Sequence, residues 1–258
     1  MEVTEHHSEV AGVQVHRLEA QAGAATPVLY VHGVPTASWQ WLPFLERTGG
    51  IAPDLPGYGK SGKPGDFDYS IPGYGRLLEG LVDELSLDRF SLVVHDWGAV
   101  ALELAQRRPE LIERLVLLVT IPFLPGYRWH RIARGWRTPA VGELMMGLSS
   151  RYAFRRSLPK EIADRAWDDF DHGTQRAILR LYRSAPPEAL ARAGERLSEV
   201  RCRALVLWPT RDPYIDARFG TQYADALGGE TSLEPVDAGH WTWIDQPDVV
   251  DRVADFLH

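Results

Sequence analysis

Asp96 stands where an apolar run gives way to a tight turn and then a helical stretch, in Leu92-Val93-Val94-His95-Asp96-Trp97-Gly98-Ala99-Val100-Ala101-Leu102. A turn between strand and helix strains its central residue and requires small neighbours, which Gly98 and Ala99 are. The central side chain is then presented above the sheet, and here it is a carboxylate where such turns usually carry serine. Three further groups complete a candidate catalytic set. His32-Gly33-Val34-Pro35 follows the run 28–31, so the backbone N–H of Val34 can share an oxyanion with that of Trp97. Asp212 follows the run 204–208, within Leu207-Trp208-Pro209-Thr210-Arg211-Asp212-Pro213. His240 lies just past the last apolar run, within Asp237-Ala238-Gly239-His240-Trp241. Singly, each has a plainer explanation: Asp96 as a helix cap, Asp212 as a turn residue before proline, His240 as a surface histidine. Together they keep the order nucleophile, acid, histidine.

A carboxylate nucleophile restricts the reaction. Serine attacking a saturated carbon would leave an ether that water does not readily cleave, whereas aspartate leaves an ester that water can hydrolyse. Asp96 therefore points to an electrophilic sp³ carbon, as in epoxides and alkyl halides. His240, oriented by Asp212, would take the proton of the water that attacks the ester.

These residues need a scaffold, and the rhythm of the chain supplies one. Short β-branched or leucine-rich runs at 28–32, 91–95, 115–119, 204–208 and 231–236 alternate with longer amphipathic stretches. That pattern predicts an α/β fold, a mostly parallel twisted sheet flanked by helices. Tyr74, Leu77, Leu78, Leu81, Val82 and Leu85 recur at helical steps, with Glu79, Asp83 and Glu84 facing away. Segments 8–10 and 13–18 alternate and predict an antiparallel edge hairpin. From 122 to 200 the rhythm breaks, with no strand pattern and with Arg, Trp, Tyr and Met at helical spacing. The expected organisation is a core of residues 1–121 and 201–258 with a helical lid at 122–200. Pro186-Pro187 should interrupt the lid helices, and the next helix is expected at 188–197.

The motifs resemble the α/β-hydrolase superfamily, specifically its aspartate-nucleophile branch of epoxide hydrolases and haloalkane dehalogenases. The resemblance rests on HGVP at 32–35, PDLPGYGKSGKP at 53–64, HDWGA at 95–99, Asp212, and GHWT at 239–242, and spans nearly the whole chain. Ile121-Pro122-Phe123-Leu124-Pro125 and Leu181-Tyr182-Arg183 are similar to epoxide hydrolases, the subgroup the chain resembles more. What the resemblance implies is the α/β-hydrolase fold and opening of an epoxide to a vicinal diol, with dehalogenation by the same Asp-His-Asp set as the alternative.

The two reactions need different help at the leaving group. Dehalogenases hold the halide with a Trp after the nucleophile and with either an Asn in an H-G-N-P segment or a lid Trp. Trp97 fits the first role, Val34 brings no side-chain donor, and Trp129, Trp136 or Trp167 could substitute. Epoxide hydrolases supply two lid tyrosines; Tyr182 matches the second, and Tyr152, with Tyr127 behind it, is the candidate for the first. His32, Pro35, Trp97 and the three lid tryptophans are expected around the substrate. Met145, Met146, Phe154 and Phe170 add to an apolar roof that suits a small to moderate hydrophobic substrate, although packing is the commonest role for each. Arg128, Arg131, Arg134 and Arg137 read as a solvated helix face. Non-hydrolytic biosynthetic chemistry and ligand capture on the same fold stay open as further alternatives.

The remaining composition excludes more than it assigns. With 258 residues, 45% of them hydrophobic, the chain can bury a sizeable core in one catalytic domain. The net charge is −7 with acids and bases mixed along the chain, which argues against nucleic-acid binding. No apolar run nears the roughly 18 residues that span a bilayer, so no membrane insertion is expected. Residues 1–10 are polar with no signal core, which predicts a cytoplasmic protein. The single Cys202 allows no intrachain disulfide, and no metal-ligand spacing or phosphate loop calls for a cofactor. A monomer or homodimer is expected.

Overall fold

The computed structural model describes residues 1–21 and 26–258. Eight strands, Val3–Val10 (β1), Val13–Ala20 (β2), Val28–Val31 (β3), Gly50–Pro53 (β4), Phe90–Asp96 (β5), Ile112–Thr120 (β6), Arg203–Pro209 (β7) and Thr231–Val236 (β8), form one sheet. Their order is β1-β2-β4-β3-β5-β6-β7-β8. The β1–β2 and β2–β4 pairings are antiparallel and the rest parallel. The expected hairpin forms at the edge, longer than its alternation suggested. It turns through Ala11 and Gly12, both at positive φ (50° and 77°), a turn whose twist matches that of the strands. Strand β4 carries no strand signal of its own, since its four residues are Gly50-Ile51-Ala52-Pro53 and it exists by pairing with β2 and β3.

Alternate side chains of the central strands feed two separate cores. Leu29, Val31, Leu92, Val94, Leu115 and Leu117 pack on one face of the sheet. Val28, Tyr30, Val93, Val116 and Leu118 pack on the other. All seven residues of β5 are buried, which is why its sequence is apolar up to His95 apart from Ser91. Burial of each such side chain stabilises the fold by about 1.5–3 kcal/mol before ordering costs are counted. The expected helix is Ile71–Glu84; the Ser70 hydroxyl caps it by accepting from Gly73 N–H at 3.2 Å, and Tyr74, Leu77, Leu78, Leu81 and Val82 face inward.

From β3 the chain crosses to β4 on one side and returns to β5 on the other, so the loops leaving β3 and β5 diverge. Such a reversal opens a crevice at the carboxyl ends of the strands. Asp96 is the last residue of β5, and His32 and Gly33 follow β3 directly.

Between β6 and β7 the chain forms six α-helices, Arg131–Arg137, Val141–Gly147, Arg151–Ser157, Lys160–Asp168, His172–Ser184 and Pro187–Ala193, and no strand among the described residues. The helix expected at 188–197 stops at Gly194, which packs so closely on the Phe123 carbonyl that an added Cβ would lie 1.8 Å from it; a 3-10 turn, Leu197–Glu199, follows. No described helix is long and apolar enough to cross a membrane, and no metal-ligating cluster occurs among the described residues.

Gly98 lets the turn after β5 press against β3: a Cβ there would lie 2.1 Å from the Val31 carbonyl oxygen. Gly98→Ala is therefore expected to destabilise the protein by about 1–3 kcal/mol, read as a lowered urea midpoint with an unchanged slope.

Candidate active site

Asp96 adopts φ 51° and ψ −120°, outside the regions open to most residues. That geometry aims its carboxylate toward the loop after β3, where the Val34 N–H donates to Asp96 Oδ1 at 2.8 Å. Gly33 makes the approach possible, because a Cβ there would sit 2.4 Å from Asp96 Cβ. The expected second donor, the Trp97 N–H, makes no hydrogen bond to this carboxylate among the described residues. An oxyanion hole is shaped for the tetrahedral intermediate rather than for the planar carboxylate.

His240 reaches the same carboxylate from the far side. Its Nε2 lies 3.6 Å from Asp96 Oδ2, and its Nδ1 is 2.6 Å from Asp212 Oδ2. The other Asp212 oxygen accepts from the N–H groups of Tyr214 (2.6 Å) and Ile215 (3.0 Å). Asp212 is thus both the turn residue that its place before proline suggests and the partner of His240.

Charge organises the group. Burial opposes a positive His240, but Asp212 and Asp96 beside it outweigh burial and lift its pKa to about 10. Burial likewise opposes charge on Asp96 and Asp212, yet the His240 contacts hold both below the usual carboxylate range. Its neighbour His95 behaves oppositely: burial and the nearby His240 push it down to about 3. His95 Nε2 lies 3.1 Å from the His240 carbonyl, which only accepts, so neutral His95 carries its proton there and pins the His240 backbone.

A cavity of about 230 Å³ opens onto these groups. Asp96, His240, Val34, Pro35, Trp136 and Tyr182 all line it. The Tyr182 phenol is pushed well up by burial and by the charge of Asp96. Its ring is held edge-on between Trp97 (5.2 Å between centroids) and Trp136 (5.0 Å). Arg137, expected on a solvated face, instead donates to the Tyr182 and Ala185 carbonyls and so closes the end of the helix that carries Tyr182.

Other expectations are corrected. Tyr152 is 70% exposed, under the Arg156 guanidinium on the outside of its helix, while its neighbours Ala153 and Phe154 line the cavity. Tyr127 is buried behind the site, and its hydroxyl has no partner among the described residues. Trp129 spends its indole N–H on the Ala185 carbonyl at 2.9 Å and stacks on Trp97. Trp167 does not line the cavity but packs behind Phe154 and Phe170, which do. His32 does not line the cavity; it is buried, donates from Nδ1 to the Gly33 carbonyl (2.8 Å) and accepts from Leu55 N–H (2.9 Å), bracing the loop that holds Val34. The Trp97 ring is fully buried behind Tyr182, and its Nε1 has no acceptor among the described residues.

The sequence reading missed His130, which lines the cavity and whose Nδ1 caps the helix Arg131–Arg137 by accepting from Ala133 N–H at 3.4 Å. The neutral ring must then carry its proton on Nε2. A histidine at the first helical boundary of the segment is the only signal that marked it. Removing the Asp96 charge with Asp96→Asn should lower the His240 pKa from about 10 by about one unit or more, read by ¹⁵N NMR titration. Because the folded value exceeds the ordinary 6.5, the His240 ion pairs stabilise the fold fully below about pH 6.5 and lose that effect as pH rises through about 10. Denaturation midpoints should show this loss in the wild type and less of it in the variant.

The sequence model of the Alpha/beta hydrolase family matches residues 28–253. A haloalkane dehalogenase of Mesorhizobium japonicum is 37% identical over 269 aligned residues, covering 92% of this chain and 86% of that protein. Haloalkane dehalogenase 2 of Mycobacterium tuberculosis is 30% identical, covering 82% of this chain and 70% of its own length. The crystal structure of a haloalkane dehalogenase from Bradyrhizobium elkani superposes with a TM-score of 0.85 at 28% identity, covering 99% of this chain and 98% of the other. These relatives shift the expected leaning from epoxide hydrolases toward dehalogenases. The chain belongs to the α/β-hydrolase family, in the aspartate-nucleophile branch that holds the haloalkane dehalogenases.

Proposed function

We propose that the protein hydrolyses small apolar haloalkanes through a covalent ester on Asp96. The observation that carries this reading is the Trp97 indole N–H, buried directly after Asp96 with no hydrogen-bond acceptor among the described residues. A buried donor left without a partner costs about 1–3 kcal/mol, and a departing halide supplies the missing acceptor. The dehalogenase relatives support the same reading. Val34 offers no side-chain donor, so the second N–H falls to Trp136, the lid tryptophan on the cavity wall.

Asp96 Oδ1 is held by Val34, which leaves Oδ2 to attack. The new bond joins Oδ2 to the substrate carbon as the carbon–halogen bond breaks and the halide departs with its electron pair. Water then adds to Asp96 Cγ while His240 Nε2 takes one of its protons, and the negative charge collects on Oδ1 opposite the Val34 N–H. Collapse of this intermediate releases the alcohol with the proton that His240 took, and the acid proton left on Asp96 passes to His240, which restores the carboxylate and its ion pair. Esterification also neutralises Asp96 and removes one of the two charges that keep His240 protonated, so His240 gives up its Nε2 proton, which leaves to solvent with the halide, and is a base at the step that needs one. Residues 122–200 act as the lid, supplying His130, Trp136, Phe154 and Tyr182 to the cavity.

Epoxide opening is the second reading, favoured by Tyr182: its side chain lines the cavity near Asp96, and an opening epoxide needs an O–H donor for its alkoxide. Parallel assays of bromoalkanes and aryl epoxides separate the two. Bromide release that falls roughly a hundredfold in Trp97→Phe and persists in Tyr182→Phe supports dehalogenation. Diol formation that depends on Tyr182 and spares Trp97→Phe promotes the epoxide reading. Asp96→Ala should abolish turnover with the fold intact, and His240→Gln should trap an ester seen as a protein mass increase equal to the alkyl group; turnover by Asp96→Ala would sink both readings.

A further inference from the structure

Five of the seven exposed large apolar side chains among the described residues fall in one short stretch: Ile132, Val141, Leu144, Leu148 and Tyr152. They come from three consecutive helices, Arg131–Arg137, Val141–Gly147 and Arg151–Ser157, and the turns beside them. Val141, Leu144 and Leu148 follow steps of three and four, so they form one outward stripe, while Gly142 and Met146 on the same helix are buried. The same three helices border the cavity through Ile132, Met145 and Ala153. Ile132 belongs to both sets, at 41% exposure, so the apolar surface runs up to the cavity mouth.

Charge is distributed less evenly than its overall mixing suggests. Residues 128–160 contain eight basic residues and one acidic residue, in a chain whose net charge is −7. Arg128, Arg131, Arg134, Arg156 and Lys160 are exposed, and none forms an ion pair among the described residues. An apolar stripe flanked by unpaired cations is the chemistry of an interfacial surface. We infer that this face docks on an anionic lipid surface, with Leu144, Leu148 and Tyr152 entering the headgroup boundary and the free arginines meeting phosphates. A second copy fits worse, because a two-fold contact through this face would set the arginines of one copy against those of the other. Docking needs no turnover, so it stands or falls apart from the proposed reaction. Only one consequence rests on that reading, namely that the cavity mouth meets the phase in which apolar haloalkanes concentrate.

The test is co-sedimentation of the full chain with vesicles of phosphatidylcholine alone and of phosphatidylcholine mixed equally with phosphatidylglycerol. Binding is expected to the mixed vesicles and to weaken in high salt. Leu144→Ser with Leu148→Ser should weaken it at least about tenfold, and Arg131→Glu with Arg134→Glu roughly a hundredfold or more. All four positions lie outside the cavity wall, so both double variants should keep wild-type circular dichroism and wild-type turnover of a water-soluble bromoalkane. Failure to bind mixed vesicles, equal binding to neutral ones, or wild-type binding by both variants would overturn the inference. So would a vesicle-free dimer, seen by sedimentation equilibrium, that the leucine substitutions dissociate.

Discussion

Two carboxylates, Asp96 and Asp212, are buried within reach of one imidazole, and the site exists because His240 carries the positive charge between them. Each acid alone would be costly to bury as an anion, and two side by side more so. The imidazolium offsets both, which is why all three groups keep their charged forms despite exclusion from water. The arrangement accommodates a single cation. His95, with its ring centroid 4.7 Å from that of His240, is kept neutral, and its remaining N–H is turned to holding the backbone of its neighbour.

Holding the triplet requires backbone that most residues would refuse. Asp96 sits at positive φ, and the turn around it closes only because Gly98 packs on β3 and Gly33 packs on Asp96 itself. The loop after β3 is braced in turn by His32 and by the segment 53–64. There Asp54 accepts from the Ser38 and Lys60 N–H groups and from the buried His16 ring, tying β2 to both loops. The proline- and glycine-rich PDLPGYGKSGKP stretch therefore acts at a distance, by keeping the Val34 N–H where the Asp96 carboxylate meets it. The helices between β6 and β7 are under looser constraint, contributing apolar walls and a few polar tips while leaving their outer faces free to differ.

Asp96, Asp212 and His240 were legible in the chain because each follows an apolar run, and runs buried on both faces of a parallel sheet announce themselves as strands. The order of those runs then implies that their carboxyl ends share one edge. Strand β4 was not legible, since Gly50-Ile51-Ala52-Pro53 becomes a strand only through its neighbours. The tyrosines and tryptophans between β6 and β7 could be counted but not aimed. Residues one step apart on a helix point about a quarter-turn apart, so Tyr152 faces water while Ala153 and Phe154 face the cavity. Trp129 and Trp136 likewise differ in what their indoles meet, for reasons that lie in another helix.

By itself, then, the amino-acid order determined the sheet apart from β4, the strained turn and the carboxylate at its centre, because these rest on local periodicity and on glycines placed beside an aspartate. Tertiary structure alone decided which side chains between β6 and β7 reach the cavity, that His130 joins them, and that the Trp97 indole meets no acceptor among the described residues. Those outcomes depend on how short helices rotate and pack against one another, and helical spacing gives the width of a face without saying what it will face.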